Sequence, residues 1–243
     1  ECSAMSGRYL GETFDIHGGG IDLRFPHHEN EQAQSHAAGR GFARYWMHNA
    51  WVTIEGEKMS KSLGNSLTVK AVTREVSPVI LRYALGTVHY RSTVAYSPVT
   101  LAEAQAVWER LAGFVTRAAE LEEVGVDEVA SLGPADLPAE FTAAMDDDLN
   151  VSGALAVVHD AVTKGNTALG KRDVDAVRRA QLQVRSMLDV LGLDPLSFQW
   201  RSSGGADSAH AALDVLFSDM LDRRAAARAA KDWPAADAVR DSL

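Results

Sequence analysis

Two groups of side chains in this sequence have the types and spacing to do chemistry. In GEKMSKSLGNS, residues 56–66, Lys58 and Lys61 stand three apart among Ser60, Ser62, Gly64 and Asn65, so two cations share a loop with little apolar content to hold it down. In FPHHENE, His27 and Glu31 stand four apart, which on a helix puts an imidazole and a carboxylate on one face. That pair can hold a zinc ion, and Cys2 offers a thiolate as a third ligand. The same spacing also occurs on ordinary solvated helices, and His28 next door reads as a polar contact. In DIHGGGIDL, three glycines, Gly18 to Gly20, lie between His17 and Asp22. Such a run is costly unless the chain turns tightly there or approaches a ligand closely; a plain turn between two strands is one reading. In a doubly wound sheet, an acid placed like Asp22 can meet a ribose hydroxyl.

These residues need elements to position them. TFDIHGGGIDL and NAWVTIEG have the short apolar runs and glycines of strands. HHENEQAQSHAAG between them reads as a helix opened by Pro26 and stopped at Gly39. Strand, helix and strand in turn predict an α/β layer. From Leu67 the pattern becomes helical. SPVILRYALGTVHYRS is a helix running into a turn, and Leu101, Ala104, Val107, Trp108, Leu111 and Val115 recur at helical spacing through a long amphipathic helix. Further helices are expected at about 138–169, 172–192 and 208–230, with a Pro and Gly loop near 131–138 and a loop or linker over DPLSFQWRSSGGADS. Asp232 or Trp233, followed by Pro234, starts a last one.

Composition narrows the class. The chain has 243 residues, 46% of them hydrophobic, enough for one large or two modest cores. Its single cysteine rules out an internal disulfide framework, leaving Cys2 as a buried thiol, a reactive one or a metal ligand. No export signal or membrane-spanning run is visible, so the protein reads as cytoplasmic, with no membrane partner. It opens Glu1-Cys2 with no initiator methionine, as a piece of something longer would. The formal net charge of −9 is uneven: residues 1–100 carry 10 basic against 9 acidic side chains, so the acidity lies in the remainder. A local basic face therefore stays open.

ECSAM, FDIHGGGIDLRFPHHENEQAQS, YWMHN, GEKMSKSLGN, LRYALGTVHYRS, AMDDDLN and KDWPAADAVRD occur here in that order. Together they resemble the cysteinyl-tRNA synthetases, a family of class I aminoacyl-tRNA synthetases. The resemblance implies an α/β partial Rossmann-type catalytic domain followed by an all-α helix bundle. Residues 1–70 would be the later part of the nucleotide-binding domain, 71–100 a connecting and stem-contact region, 101–200 a tRNA-binding bundle, and 201–243 a linker with the start of an anticodon-binding region. It implies zinc on Cys2, His27 and Glu31 with a further upstream cysteine, and ATP with Mg2+, cysteine and tRNA(Cys) as substrates. Lys58 and Lys61 would be catalytic, meeting the phosphates of ATP as pyrophosphate departs, with Lys61 in direct contact. Gly19 and Asp22 would lie on the nucleotide side, and His17 would line the amino acid pocket. Asp22 could instead meet the substrate amine, and Trp46 and His48 serve equally as core or site.

Two other readings share these residues. One is the ligase that joins cysteine to glucosaminyl-inositol in mycothiol synthesis; the other is a non-catalytic module that binds zinc and tRNA. For tRNA contact, Arg223, Arg224, Arg228 and Lys231 form the one basic run of the acidic half, which also suits a solvated helix face.

Overall fold

The computed structural model describes residues 1–54, 57–58, 68–201, 220, 223–228 and 232–241. The chain divides into two compact units, Glu1–Asp194 and Pro195–Leu243.

The first unit begins with helix α1 (Cys2–Tyr9) and strand β1 (Phe14–Gly20), followed by tight turns over Ile21–Leu23 and Arg24–His28. Helix α2 (Glu29–Ala37) then crosses back so that strand β2 (Ala43–Asn49) pairs with β1 in parallel, the arrangement for which parallel strands require a crossover helix. Pro26 sits in the lead-in turn, after a cis Phe25–Pro26 bond, and the α-helix starts three residues beyond it. The glycine run makes no turn. Gly18, Gly19 and Gly20 lie inside β1, paired with Met47, His48 and Asn49. A turn between strands is therefore not their purpose.

A second small sheet has the order β4-β3-β5. Strand β3 (Val52–Ile54) pairs antiparallel with β4 (Glu57–Lys58) and parallel with β5 (Val94–Tyr96). Helices α3 (Val69–Val72) and α4 (Pro78–Gly86) lie between them in sequence. Val72, Leu81 and Leu101 form a buried cluster, with Leu85 and Tyr96 packed against it.

The helical half follows: α5 (Pro98–Leu121), α6 (Val126–Ala130), α7 (Ala139–Asp146), α8 (Val151–Lys171) and α9 (Val174–Val190). Ser97 and Thr100 cap α5 reciprocally. Its buried side chains, Leu101, Ala104, Leu111, Phe114, Val115 and Ala118, follow the helical period. Phe114 packs where α8 presents Gly165, since a Cβ there would overlap its ring. The helix expected over 138–169 is two helices. Asp148 and Leu149 take left-handed backbone angles, φ 55° and 57°, which cost non-glycine residues about 1–2 kcal/mol each. Asn150 then caps α8 through Gly153 N–H. The acids and asparagine of DDDLN break the helix that the flanking apolar period would continue.

In the second unit, α10 (Phe198–Arg201) is one turn within the stretch expected as linker. Residues 223–228 are helical, and α11 (Trp233–Asp241) is capped by Asp232, whose carboxylate accepts from Ala235 N–H. Among the described residues no helix is long and apolar enough to cross a membrane.

Candidate active site

The parallel register places His17 opposite Trp46 and Gly19 opposite His48. Alternate residues of a strand share a face, so His17, Trp46 and His48 project together from the side that α2 covers. Gly19 shares that face without a side chain, and the ring of His28 occupies the space: a Cβ on Gly19 would lie 2.8 Å from His28 Cε1 and 3.2 Å from Leu23 Cδ1. Close approach explains this glycine, and what approaches is the protein's own histidine.

His28 is buried, and its Nδ1 lies 2.9 Å from His48 Nε2. One ring nitrogen must donate to the other, which a neutral pair does. Burial first, then the charge of His17, holds His28 below the ordinary imidazole value. Burial, then Arg24, does the same for His48. His17 packs edge-on to His28, with ring centroids 4.7 Å apart, and tilted on Trp46 at 4.8 Å. A pocket of about 370 Å³ opens over His28, Trp46 and His48, lined also by Ile21, Arg24 and Arg91. The tandem HH and the YWMHN run were the available signals for this arrangement. Neither periodicity nor spacing reveals that His28 turns inward onto His48.

Glu31 is buried at 5% exposure. Its Oε1 lies 2.7 Å from His27 Nε2, and its Oε2 lies 3.3 Å from His17 Nε2. The second approach is close but badly aligned, leaving Oε2 buried with no hydrogen-bond partner. Helix α1 brings Cys2 to the same place, with Ser3 Oγ donating to Gln34 Oε1 at 2.8 Å. Cys2 Sγ, a His27 ring nitrogen and a Glu31 oxygen all lie within 4.8 Å of one another. Cys2 is exposed, so of its three expected roles the buried thiol falls away. Sulfur, imidazole and carboxylate together suit zinc, and an orphaned buried oxygen is what a cation would satisfy.

Asp22 stands just beyond β1 and accepts from Trp51 Nε1 at 3.3 Å, so it faces the junction of β2 and β3. Lys58 is placed only as a residue of β4, its backbone paired with Thr53, and Lys61 lies outside the described residues. In the basic run, Arg223 and Arg228 are exposed and Arg224 is half-buried, while Lys231 lies outside the described residues.

The tRNA synthetases class I (C) catalytic domain family matches residues 1–106, and the DALR domain family matches residues 140–195. A cysteine–tRNA ligase of Beutenbergia cavernae is 63% identical over all of this chain and 52% of its own length. One of Streptomyces coelicolor is 55% identical over all of this chain and 39% of its own length. The chain thus spans about half the length of the curated relatives it matches. Among solved structures, the ternary complex of Agrobacterium radiobacter K84 LeuRS with tRNA and LeuAMS shares the fold. Its TM-score is 0.56 at 19% identity, over 74% of this chain and 26% of that one. The parallel strand layer and the helices that follow it in sequence thus match a class I synthetase catalytic segment followed by a DALR domain, and over its whole length the chain is similar to part of the cysteine–tRNA ligases.

Proposed function

We propose that the complete protein activates cysteine with ATP and transfers it to tRNA(Cys) in the cytoplasm. The observation that carries this reading is the convergence of Cys2, His27 and buried Glu31 beside His17 and Trp46. Cys2, His27 and Glu31 would hold zinc. When bound, zinc supplies a soft Lewis acid that favours a thiolate over a hydroxyl. That preference matters because an apolar pocket alone separates such near-isosteres by only about a hundredfold.

The chain's own residues divide the remaining work. His17 and Trp46 wall the amino acid, the ring of His17 being held against Phe42 and Glu31. Asp22, just beyond the carboxyl end of β1, meets either the substrate amine or the ribose hydroxyls, and Gly20 leaves its carboxylate the room that a Cβ would take. Attack of the amino acid carboxylate on the α-phosphate breaks the bond to pyrophosphate, and negative charge gathers on the departing oxygens. Lys58 and Lys61 neutralise that charge as it develops, so they lower the barrier rather than merely tightening binding. The DALR match supports tRNA as the acceptor.

The test is pyrophosphate exchange into ATP by the complete protein. Exchange is expected with cysteine and not with serine; its absence with cysteine would overturn the proposal. Charging of tRNA(Cys), run beside glucosaminyl-inositol as acceptor, checks the second step.

A further inference from the structure

HYRS and DDDLN take no part in the chemistry just proposed, yet they meet across the molecule. Asp148, in the break between α7 and α8, accepts from the Tyr90 hydroxyl at 2.5 Å, from Arg91 Nε at 2.6 Å and from Arg91 Nη2 at 3.2 Å. His89 Nε2 stands 3.8 Å away, and the Arg91 guanidinium lies over the Tyr90 ring. Three consecutive side chains of one turn thus converge on one carboxylate. The hydrogen bonds from Arg91 and Tyr90 hold that carboxyl at about 2, below its ordinary value.

The same turn is fastened on its other side to the strands. Ala50 N–H donates to Tyr90 O at 2.8 Å, and Val94 N–H donates to Trp51 O at 2.9 Å. Ala50 and Trp51 are the link between β2, which carries Trp46 and His48, and β3. Arg91 also lines the pocket over His28 and His48. A side chain of the helical half is therefore connected, through one turn, to the strand junction of the site. Ion pairs as exposed as this one add little to stability. Three donors on one acceptor do fix an orientation. The left-handed backbone at Asp148 and Leu149 aims the carboxylate at that turn, and such angles persist only where the surroundings enforce them.

We propose that Asp148 is a positioning residue that latches the α7–α8 break to the β2–β3 junction, so that the placement of the helices on a bound tRNA sets the geometry of the site. The functional half of this inference rests on the tRNA-charging activity proposed above; the mechanical half does not.

The experiment compares the complete wild-type protein with Asp148→Ala and Asp148→Glu. In Asp148→Ala, amide exchange at Ala50 and Val94 is expected to quicken about tenfold. The kcat of charging is expected to fall about tenfold, with the KM for tRNA within about twofold of wild type and the melting temperature nearly unchanged. Asp148→Glu, which keeps the charge, is expected to restore much of both. A role in packing alone would instead lower melting temperature and raise the tRNA KM together, and that result overturns the proposal. So does unchanged exchange at both amides, or quickened exchange with charging intact. If the wild-type protein does not charge tRNA, the proposed function fails, while amide exchange still decides the latch.

Discussion

Arg185 in the helical half and Glu31 under the strand layer are both charged and both shut away from solvent, at 0% and 5% exposure. Arg185 is fully answered: Nε and Nη2 donate to Asp194 at 2.9–3.2 Å, and Nη1 donates to Val124 O. Beside it, Gln181 accepts from Val124 N–H and donates to Val115 O. Glu31 keeps a buried oxygen without a hydrogen bond, among rings that crowd without satisfying it. A closed polar network specifies a fold, whereas an open one leaves coordination free for something else. In the bundle the buried charge is closed into structure, and in the site one buried oxygen stays open.

The sharpest break of that comparison is Arg185→Ala, which takes the guanidinium away from buried Asp194. A loss of about 3–5 kcal/mol is expected in urea unfolding; a loss as small as that of a surface change would mean the network is not structural. Gly19→Ala comes next. Its Cβ must displace His28 or Leu23, and overpacking of this kind costs about 1–3 kcal/mol. Histidine NMR should show the His28 and His48 signals shift.

Glu31→Gln is expected to cost less still. After chelation, its stability should stay within about 1 kcal/mol of wild type, because no complete network is lost. Zinc affinity should nevertheless fall by about tenfold or more, read as metal content after dialysis, and Cys2→Ser and His27→Ala should follow it. Equal losses of stability at Arg185 and Glu31 would erase the contrast.

The smallest effect concerns Asp148, whose side chain is 46% exposed. Its folded pKa of about 2 lies below the ordinary 3.8. A depressed carboxyl contributes stability that is present above the ordinary value and is lost as pH falls through the folded one. Carboxyl NMR should place the Asp148 midpoint low in this window, and Arg91→Ala should return it toward the ordinary value.

The long periodic elements were legible from residue order. The α5 face and the start of α11 at Asp232 follow from spacing and capping, which are local properties. The break at DDDLN was less legible, because apolar residues on both sides suit a helix and only the left-handed pair at Asp148 and Leu149 interrupts it. In the site, His27 in the turn leading into α2 and Glu31 on α2 meet as their four-residue spacing predicts. Which rings would meet them was not legible, since His28 reads as a polar neighbour until Gly19 is seen to make room for it.

Sequence by itself determined the side-chain types, the four-residue spacing of imidazole and carboxylate, and the α/β order that carries them, because each depends on neighbours a few residues apart. Tertiary structure alone decided that Cys2 reaches Glu31, that His28 pairs with His48 and that Asp148 grips Arg91. Those contacts join residues 20 to 57 positions apart, and only strand register and helix packing bring such distant side chains close together.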